Sequence, residues 1–375
     1  MMNVCNQKYS VNNQDGLFCK NDKCIQAKNL YRMISVPAIN IDCLLSSIKQ
    51  SLSELSHHGR KPIAMGAIPF DTQKPSFIGI YSDYKKLNYD NITLDTKSNL
   101  QASSCSHIIP QEKFKNLVKE ACINIQKQNF EKVVLSQAID ICFNKDILLN
   151  DFWNNLVYKN RDAYNFSMPI DKHSYLFGAT PELLISKHDG QVKSNPLAGS
   201  RKKSDNIFQN IGIKNELLSS QKDIYEHLIV AKNVQQVLGQ YCKKLDFNKS
   251  PTILETSTML HLSSAFTGEL FDKTISSLEL ALALHPTPAV CGLPIRPARE
   301  FILNKEGYDR ELYTGIVGWM DSAGNGEWAI AIRCGMVKES SLRLYAGAGI
   351  VTDSQPDLEW KETQAKMQTI LNLFQ

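Results

Sequence analysis

The stretch from residue 174 to residue 200, SYLFGATPELLISKHDGQVKSNPLAGS, constrains the fold most, because two β-prone runs in it precede a strong turn signal. The runs are Ser174 to Ala179 and Leu183 to Lys187, and the Asp-Gly pair that follows is typical of a two-residue hairpin. Side-chain alternation along the second run predicts that Glu182, just before it, is partly buried. Such a carboxylate is placed for chemistry; the alternative is a solvated glutamate at a strand edge with no role.

A lysine is predicted at the start of another strand. Residues Gln111 to Gln128 have the apolar spacing of a helix and lead into the β-prone run Lys132 to Ser136. Lysine is depleted from strand interiors unless it protects an exposed edge or has an inward task. Lys132 is therefore either an edge residue that opposes aggregation or a functional amine.

A largely buried helix is predicted over Lys214 to Cys242, because its apolar residues cover more than one face. Asp223 and Glu226 lie one turn apart in it, and Glu226 is in line with an apolar stripe. A buried carboxylate needs a partner. The pattern leaves two kinds of partner open, a basic side chain or a metal ion.

The last predicted helix carries Glu359, Glu362 and Lys366 on one stripe, beside apolar residues that face the core. Two carboxylates one turn apart form a hard oxygen site. Together with Glu226 they could hold Mg2+, which takes few protein carboxylates besides water and an anionic ligand. The alternative is a charged, solvated helix face.

A site for an anionic ligand is predicted between these helices. The segment GIVGWMDSAGNGEWAIAIRCGMV predicts a hairpin closed near Asn325-Gly326, in which Arg333 shares a face with small alanines. An arginine in that setting suits bidentate binding of a carboxylate, or else a structural ion pair. The following strand ends at Gly347 and Gly349, which permit close backbone approach to a ligand or mark a bulge.

Composition excludes several classes of protein. The chain has 375 residues, 42 basic and 38 acidic, and the charges are interspersed, so nucleic acid is not an expected partner. No apolar run reaches membrane length, and the N-terminus lacks the pattern of an export signal. The ten cysteines, of which Cys19 and Cys24 are the closest two, are expected to be reduced thiols of a cytoplasmic protein.

The organisation of the chain favours one main domain. Residues 1–30 are rich in Asn, Gln and Lys and are predicted to be poorly ordered or to form an edge element. Residues 31–375 show no internal repeat and no linker, which favours a single domain. The order of strands and helices predicts an α+β fold with large antiparallel sheets layered with helices.

Nine motifs between Lys132 and Phe374 occur in the order seen in the chorismate-utilising enzymes. They are KVVLS, GATPELL, SNPLAGS, the KDIYEH helix, LHPTPAVCGLP, DRELYTGIVGW, GEWAIAIRC, YAGAGIV and EWKETQAK. On these motifs the chain resembles isochorismate synthase, most closely the compact siderophore-pathway form that feeds 2,3-dihydroxybenzoate synthesis. The resemblance implies the family's layered α+β fold, with residues 31–375 as the chorismate-binding catalytic domain. It also implies binding of Mg2+ and chorismate, and formation of isochorismate by water addition at C2 and loss of the C4 hydroxyl.

The resemblance also implies residue roles. Lys132 matches the general base that activates water, and Glu182 matches the general acid that protonates the departing hydroxyl; burial favours the uncharged form of an ionisable group, which is the form each role requires. The metal ligands are matched by Glu226 and Glu362. Positions that hold waters around the metal are matched by Glu359 and Asp223. The family's substrate contacts match Gly199, Ala289, Tyr313, Arg333, Gly347 and Lys366. Of these, Tyr313 and Arg333 match the positions that bind the enolpyruvyl carboxylate. His261 and His285 match positions near the pocket. His285 could equally be a packed turn residue.

Three residues bear on the choice among family members. Lys132 implies water rather than ammonia as the nucleophile, so no glutaminase partner is expected, and Ala289 matches the isochorismate synthase pattern. Tyr313 departs from it, because the siderophore-type synthases tend to have phenylalanine there. Salicylate synthases have tyrosine and continue by expelling pyruvate, so salicylate synthase is the alternative. A non-catalytic module that binds Mg2+ or an acidic ligand is an alternative of another class. Relatives of the siderophore type are generally monomeric, so a monomer is expected.

Overall fold

The computed structural model describes residues 11–89 and 100–374. Its strands are β1 (Gly16–Lys20), β2 (Lys23–Ile34), β3 (Ile63–Ile68), β4 (Phe77–Asn88), β5 (Ala102–His107), β6 (Lys132–Phe143), β7 (Tyr164–Pro169), β8 (Ser174–Thr180), β9 (Leu183–His188), β10 (Gln191–Asn195), β11 (Leu197–Lys202), β12 (Cys242–Phe247), β13 (Thr252–Glu255), β14 (Met259–Ser263), β15 (Phe266–Leu270), β16 (Gly292–Leu293), β17 (Ile316–Asp321), β18 (Gly326–Ile330), β19 (Cys334–Lys338) and β20 (Ser341–Ile350). Its α-helices are α1 (Ile41–His57), α2 (Gln111–Gln126), α3 (Trp153–Lys159), α4 (Ile207–Ser219), α5 (Gln221–Leu238), α6 (Ser277–Leu284), α7 (Ile295–Lys305) and α8 (Pro356–Leu371).

The strands form one long antiparallel sheet and one small one. Seventeen strands belong to the long sheet, and the pairings run β12-β15-β10-β9-β18-β17-β3-β4-β2-β1-β7-β8-β19-β20-β6, with β5 and β16 both paired to β6. The small sheet has the order β11-β14-β13. Together with the helices, this arrangement confirms the predicted α+β fold with large antiparallel sheets.

The predicted hairpin after Glu182 is confirmed, whereas one predicted helix is in fact two. Asp189 and Gly190 both have positive φ angles, as a two-residue turn matching strand twist requires, and they join β9 to β10. The helix predicted over Lys214 to Cys242 is broken at Ser220, which has an extended backbone. The Ser220 hydroxyl accepts the Asp223 backbone N–H and so caps α5, because serine satisfies the orphan donors of a helix start.

The N-terminal prediction is wrong for the described residues. Strand β1 lies in the middle of the long sheet, paired to β2 on one side and to β7 on the other, and the proposed boundary at residue 30 falls inside β2. Residues 1–10 lie outside the described part. The expectation of reduced cysteines is also wrong for Cys19 and Cys24, which form a disulfide. They are direct cross-strand partners in the β1–β2 hairpin with Cα atoms 3.9 Å apart, a closeness that sequence spacing did not reveal.

Helices from distant parts of the chain surround the end of the long sheet. Helix α8 packs on β20 and α2, α7 packs on β6, and α5 packs on β11. An apolar cluster that includes Phe114, Leu135, Ala348 and Trp360 joins these layers. The start of β6, the end of β20 and the small sheet therefore meet between α5 and α8. Among the described helices, none combines the length and apolarity needed to cross a lipid bilayer.

Candidate active site

A compact polar pocket lies where β11, β14, β20, α5 and α8 meet. Its cavity measures about 70 Å3, because charged side chains fill most of the space. The predicted site residues that line it are Glu182, Gly199, Glu226, His261, Ala289, Tyr313, Arg333, Gly347, Glu362 and Lys366. A larger cavity of about 560 Å3, bordered by Asp140, Glu311 and Arg343, contains none of the predicted residues. The chemistry predicted from sequence therefore converges on the smaller pocket.

Lys132 lies behind the pocket wall as half of an ion pair. It is the first residue of β6 and is fully buried, so it is not an edge residue. Its Nζ atom is 3.0 Å from Oε1 of Glu226, whose carboxylate faces the pocket. Among the described residues, this amine has no hydrogen bond of good geometry. The pair places a buried amine one carboxylate away from the pocket.

Gly349 makes room for that ion pair. It lies opposite Val134 in the β6–β20 ladder, and a Cβ atom at residue 349 would collide with Oε1 of Glu226 and lie 3.1 Å from Cε of Lys132. The Glu226 carboxylate thus occupies the space that a side chain at residue 349 would fill. This space, the cradle for the carboxylate, exists because residue 349 is glycine.

Gly349→Ala is expected to lower turnover of chorismate, the substrate expected from the sequence, about 10- to 100-fold. The added methyl group would displace Glu226 and with it Lys132. Small misplacements of reacting groups lower the rate strongly. Steady-state kinetics on the folded variant measures the loss. Gly212→Ala in α4 is the matched control, since nothing lies within 4 Å of the added atom. Equal activity of the two variants would contradict a role for this cradle.

Glu182 is a buried acid with a raised pKa. It lies between β8 and β9, directly after Pro181, and is 3% exposed. Burial raises the pKa of Glu182 to about 7, against the opposing effects of a hydrogen bond from the Leu197 backbone and the positive charges of Lys132, Lys366 and Arg333. The carboxyl group therefore keeps its proton in part of the molecules at neutral pH and can act as an acid there.

Arg333 is a buried cation, and its position differs from the prediction. Strand β18 ends at Ile330, so Arg333 does not share a strand face with the preceding alanines; it has a positive φ of 50° between β18 and β19. Its side chain is buried and forms no salt bridge among the described residues; its Nη2 atom lies 3.3 Å from Nε2 of His261. Burial lowers the pKa of Arg333 to about 10, opposed by Tyr313, Glu362 and Glu182.

His261 supplies a neutral neighbour to this guanidinium. Burial, together with the charges of Arg333 and Lys366, lowers the pKa of His261 well below its ordinary value. A neutral imidazole can accept a hydrogen bond from Arg333 through Nε2. Burying a guanidinium without a carboxylate is unfavourable. The arrangement is therefore suited to binding an anionic group from a ligand.

The pocket wall also contains Tyr313, Gly347 and Lys366. The ring of Tyr313 stacks on Tyr345, with ring centroids 5.1 Å apart and planes at 7°. Its hydroxyl lies 2.9 Å from where a Cβ atom of residue 347 would be, so a side chain at Gly347 would push the tyrosine away. Lys366 donates a 2.9 Å hydrogen bond to the Gly347 carbonyl. Tyrosine hydroxyl, lysine amine and close backbone thus share one surface.

The four predicted acidic metal positions separate into two pairs. Glu226 and Glu362 line the pocket; Glu362 accepts from Ser200 at 2.8 Å and lies 2.6 Å from Nζ of Lys366. Burial raises the pKa of Glu362, but Lys366 and the hydrogen bonds from Lys366 and Ser200 bring it below its ordinary value.

Glu359 and Asp223 do not line the pocket. Glu359 is 1% exposed and lies 2.8 Å from Nζ of Lys222, and burial together with Glu362 raises its pKa. Asp223 receives a bidentate pair from Arg201 at 3.1 and 2.7 Å. Within residues 11–89 and 100–374, no three or more His, Cys, Asp or Glu side chains are grouped as a metal centre. Of the four predicted positions, Glu226 and Glu362 line the pocket, and Glu359 and Asp223 do not.

His285 and Gly199 have different outcomes. His285 follows α6, lies outside the pocket lining, and has Nε2 3.4 Å from the Phe70 carbonyl; burial lowers its pKa to about 4. It therefore occupies the packed-turn position that was the alternative. Gly199 has a φ of +75° and faces Asp223, whose Cβ would lie 3.0 Å from a Cβ at this position. Glycine is needed there for both backbone angle and space.

Several pocket residues were not predicted from the sequence. Ser200 and Val290 are chain neighbours of the predicted Gly199 and Ala289, and Tyr345 precedes Gly347 in the YAGAG motif, so proximity in the motifs could have indicated them. Lys222, which pairs with Glu359 outside the pocket lining, begins the KDIYEH motif, but its role was not predicted because a lysine on a helix surface is usually solvated.

The chain is similar in sequence and in structure to proteins of one family. The family profile described as chorismate binding enzyme matches residues 71–375. The chain is 39% identical to isochorismate synthase DhbC of Bacillus subtilis (strain 168), over 88% of this chain and 85% of that protein. It is 37% identical to the vibriobactin-specific isochorismate synthase of Vibrio cholerae serotype O1, over 83% and 78% of the two chains. A crystal structure of a putative 2,3-dihydroxybenzoate-specific isochorismate synthase, DhbC from Bacillus anthracis, superimposes with a TM-score of 0.90 at 37% identity, covering 97% of this chain and 96% of that one. The chain therefore belongs to the chorismate-binding enzyme family, as a homologue of isochorismate synthases.

Proposed function

We propose that this protein is an isochorismate synthase that converts chorismate to isochorismate, in a pathway of the siderophore type. The names of its relatives support the reaction. The observation that carries the proposal is the position of Glu182, a buried acid with a pKa of about 7, in one pocket with the buried guanidinium of Arg333 and the carboxylate partner of Lys132.

The proposed chemistry exchanges one hydroxyl for another. Lys132, in its neutral form, takes a proton from a water molecule whose oxygen bonds to C2 of the ring. The ring double bonds shift, the C4–O bond breaks, and Glu182 gives its proton to the departing hydroxyl, which leaves as water. One water is consumed and one is released, so substrate and product are isomers and no oxidant or reductant is needed. General acid and base catalysis each contribute about 10^2 to 10^4-fold.

The pocket contains a buried cation suited to the enolpyruvyl carboxylate of the substrate. Arg333, with the hydroxyl of Tyr313 nearby, suits the enolpyruvyl carboxylate, because a guanidinium binds a carboxylate in a bidentate manner. Lys366 is held between Glu362 and the Gly347 carbonyl, and the pocket is small, so we infer that lining side chains move when the substrate binds.

The proposal includes Mg2+. Glu226 and Glu362 would hold it, since both line the same pocket and Gly349 leaves room for the Glu226 carboxylate. Glu359 and Asp223 would hold waters around it. When bound, Mg2+ would supply positive charge for the ring carboxylate of the substrate. Lys132 pairs with Glu226, and Lys366 pairs with Glu362.

Water as the nucleophile makes a glutaminase subunit unnecessary, so the proposal is of an enzyme that acts without one. We further propose a monomer that works in the cytoplasm. Size-exclusion chromatography with light scattering tests the oligomeric state directly.

Incubation of the purified protein with chorismate and Mg2+, followed by chromatographic separation of products, is expected to give isochorismate without salicylate or pyruvate. Salicylate with equimolar pyruvate would instead support the alternative that Tyr313 raises, a salicylate synthase. Unchanged chorismate would contradict both enzymes and favour a binding module. A parallel incubation with EDTA is the control for the metal, and it is expected to abolish turnover.

A further inference from the structure

A buried ion pair outside the pocket joins segments that carry pocket residues. Arg310 is 3% exposed and Glu306 is fully buried, and both lie just after α7. Neither residue lines the pocket. Nε of Arg310 donates to Oε2 of Glu306 at 2.8 Å, and Nη2 donates to the other carboxylate oxygen. The pair thus forms a bidentate contact at the centre of the fold.

The remaining donors of Arg310 reach three further segments. Nη2 donates to the Val134 carbonyl at 2.7 Å, and Nη1 donates to the Val290 carbonyl at 2.9 Å and to Oγ1 of Thr314 at 3.3 Å. The guanidinium also lies over the Phe70 ring, 4.7 Å from its centroid. A guanidinium has five N–H donors in a rigid plane, so these bonds fix the segments relative to one another.

Each of these segments carries a residue of the proposed reaction. Val134 is two residues after Lys132 on β6, Val290 follows Ala289, and Thr314 follows Tyr313. These three segments are therefore tied to a single side chain.

Glu306 extends the connection to the opposite strand. Its Oε1 atom accepts the backbone N–H of Ser136 at 2.8 Å and the Ser136 hydroxyl at 2.9 Å. Ser136 is the direct partner of Gly347 in the β6–β20 ladder. The pair therefore also fixes the position of the strand segment that contains Gly347, which lines the pocket.

We propose that Arg310, with Glu306, is a positioning residue that sets the distances between the Lys132 amine, the Ala289–Val290 backbone and the Tyr313 ring. This inference rests on the proposed function. Arg310 does not touch the pocket, so it acts by geometry: about 1 Å of misplacement far from the reacting atoms can cost about 100-fold in rate. A lysine in its place keeps a positive charge beside Glu306 but cannot span the Val134 and Val290 carbonyls with one planar group.

The experiment compares Arg310→Lys with Arg299→Lys at a temperature well below both melting points. Arg310→Lys is expected to lower kcat about 10- to 100-fold with KM changed less than about threefold. Arg299→Lys is the matched control, since Arg299 is on α7 and pairs with Asp71 without touching a pocket segment; its kcat is expected to stay within about twofold of wild type. A kcat near wild type for Arg310→Lys, with only a lowered Tm, would make Arg310 purely structural and overturn the proposal.

Ser136→Ala decides the matter if Arg310→Lys does not fold. It removes the hydroxyl's bonds to Glu306 and to the Tyr308 hydroxyl and leaves the backbone bond to Glu306, so the predicted effect is a kcat about three- to tenfold lower at unchanged KM. Wild-type kcat in Ser136→Ala would then count against the proposal. Failure of wild-type protein to convert chorismate would refute the proposed function itself, which keeps the two ideas separable.

Discussion

Exchange of Glu182 for glutamine is expected to lower kcat by about 10^2 to 10^4-fold, because the amide cannot protonate a leaving hydroxyl. Glutamine has nearly the same shape, so substrate binding should change little and the loss should appear in kcat rather than KM. Glu327→Gln is the matched control: burial also raises the pKa of Glu327, but this residue is on β18 outside the pocket lining. Similar kinetics of the two variants would exclude Glu182 as the acid.

The pH profile gives an independent test of the same group. The reaction needs protonated Glu182, whose pKa is about 7, so kcat of the wild type is expected to fall about tenfold per pH unit above that value if proton donation limits the rate. This alkaline limb should be absent from the residual activity of Glu182→Gln. A limb that persists unchanged in the variant would assign it to another group.

Stability responds to the same titration with a definite sign. Between the ordinary carboxyl pKa of 4.5 and about 7, the folded state holds a proton on Glu182 that the unfolded state releases. The contribution of Glu182 to the free energy of unfolding therefore falls as pH rises through this window. Glu182→Gln removes the effect, so its Tm relative to wild type is expected to be higher at pH 8 than at pH 5.

Local patterns predicted the burial of single side chains better than they predicted the pairing of strands. Glu182 was placed correctly because an apolar run and an Asp-Gly turn define its strand within a few residues, and Glu226 because helical spacing puts it on an apolar stripe. These are short-range properties, fixed by the periodicity of helices and strands. The resemblance to a known family then brought together residues that are far apart in sequence.

Long-range pairings were beyond sequence patterns. Strand β1 lies within a segment rich in Asn, Gln and Lys, yet it joins the two halves of the long sheet, because its partners β2 and β7 lie on either side of it. The predicted strand position of Arg333 was wrong, since the positive φ at this residue follows from its place between β18 and β19 and not from residue type. Arg310 stands in the DRELYTGIVGW motif, but its role was not predicted, because its contacts join segments about 20 to 180 residues away.

The sorting of the acidic residues shows the same limit. Spacing placed Glu359 and Glu362 on one helical stripe, but only Glu362 faces the pocket, and the side chain that holds Glu359 comes from another helix, at Lys222. Asp223 is likewise held by Arg201 of β11. Whether a buried carboxylate meets a cation from the protein or one from solution depends on these tertiary neighbours.

Exchange of Lys132 for alanine is expected to lower turnover by about 10^3-fold or more, because the proposed base that activates water is removed. Lys132 does not line the pocket, so chorismate should still bind, with a Kd within about tenfold of wild type by calorimetry. The matched control is Lys187→Ala, since Lys187 is also buried and only its bond to the Ala323 carbonyl is lost. Lys187→Ala should reduce Tm and leave kcat near the wild-type value.

Chemical rescue distinguishes a lost base from a distorted site. Lys132 is fully buried beside Glu226, so its truncation leaves a cavity lined by a carboxylate, which suits a small alkylammonium ion. Ethylamine is expected to restore part of the turnover of Lys132→Ala, with a rate that rises with the concentration of ethylamine at fixed pH. Lys132→Met fills the same space without an amine and should not be rescued. Turnover by Lys132→Ala equal to that of wild type would remove the lysine from the mechanism, whereas rescue limited to the alanine variant would identify its amine as the group that takes the proton from water.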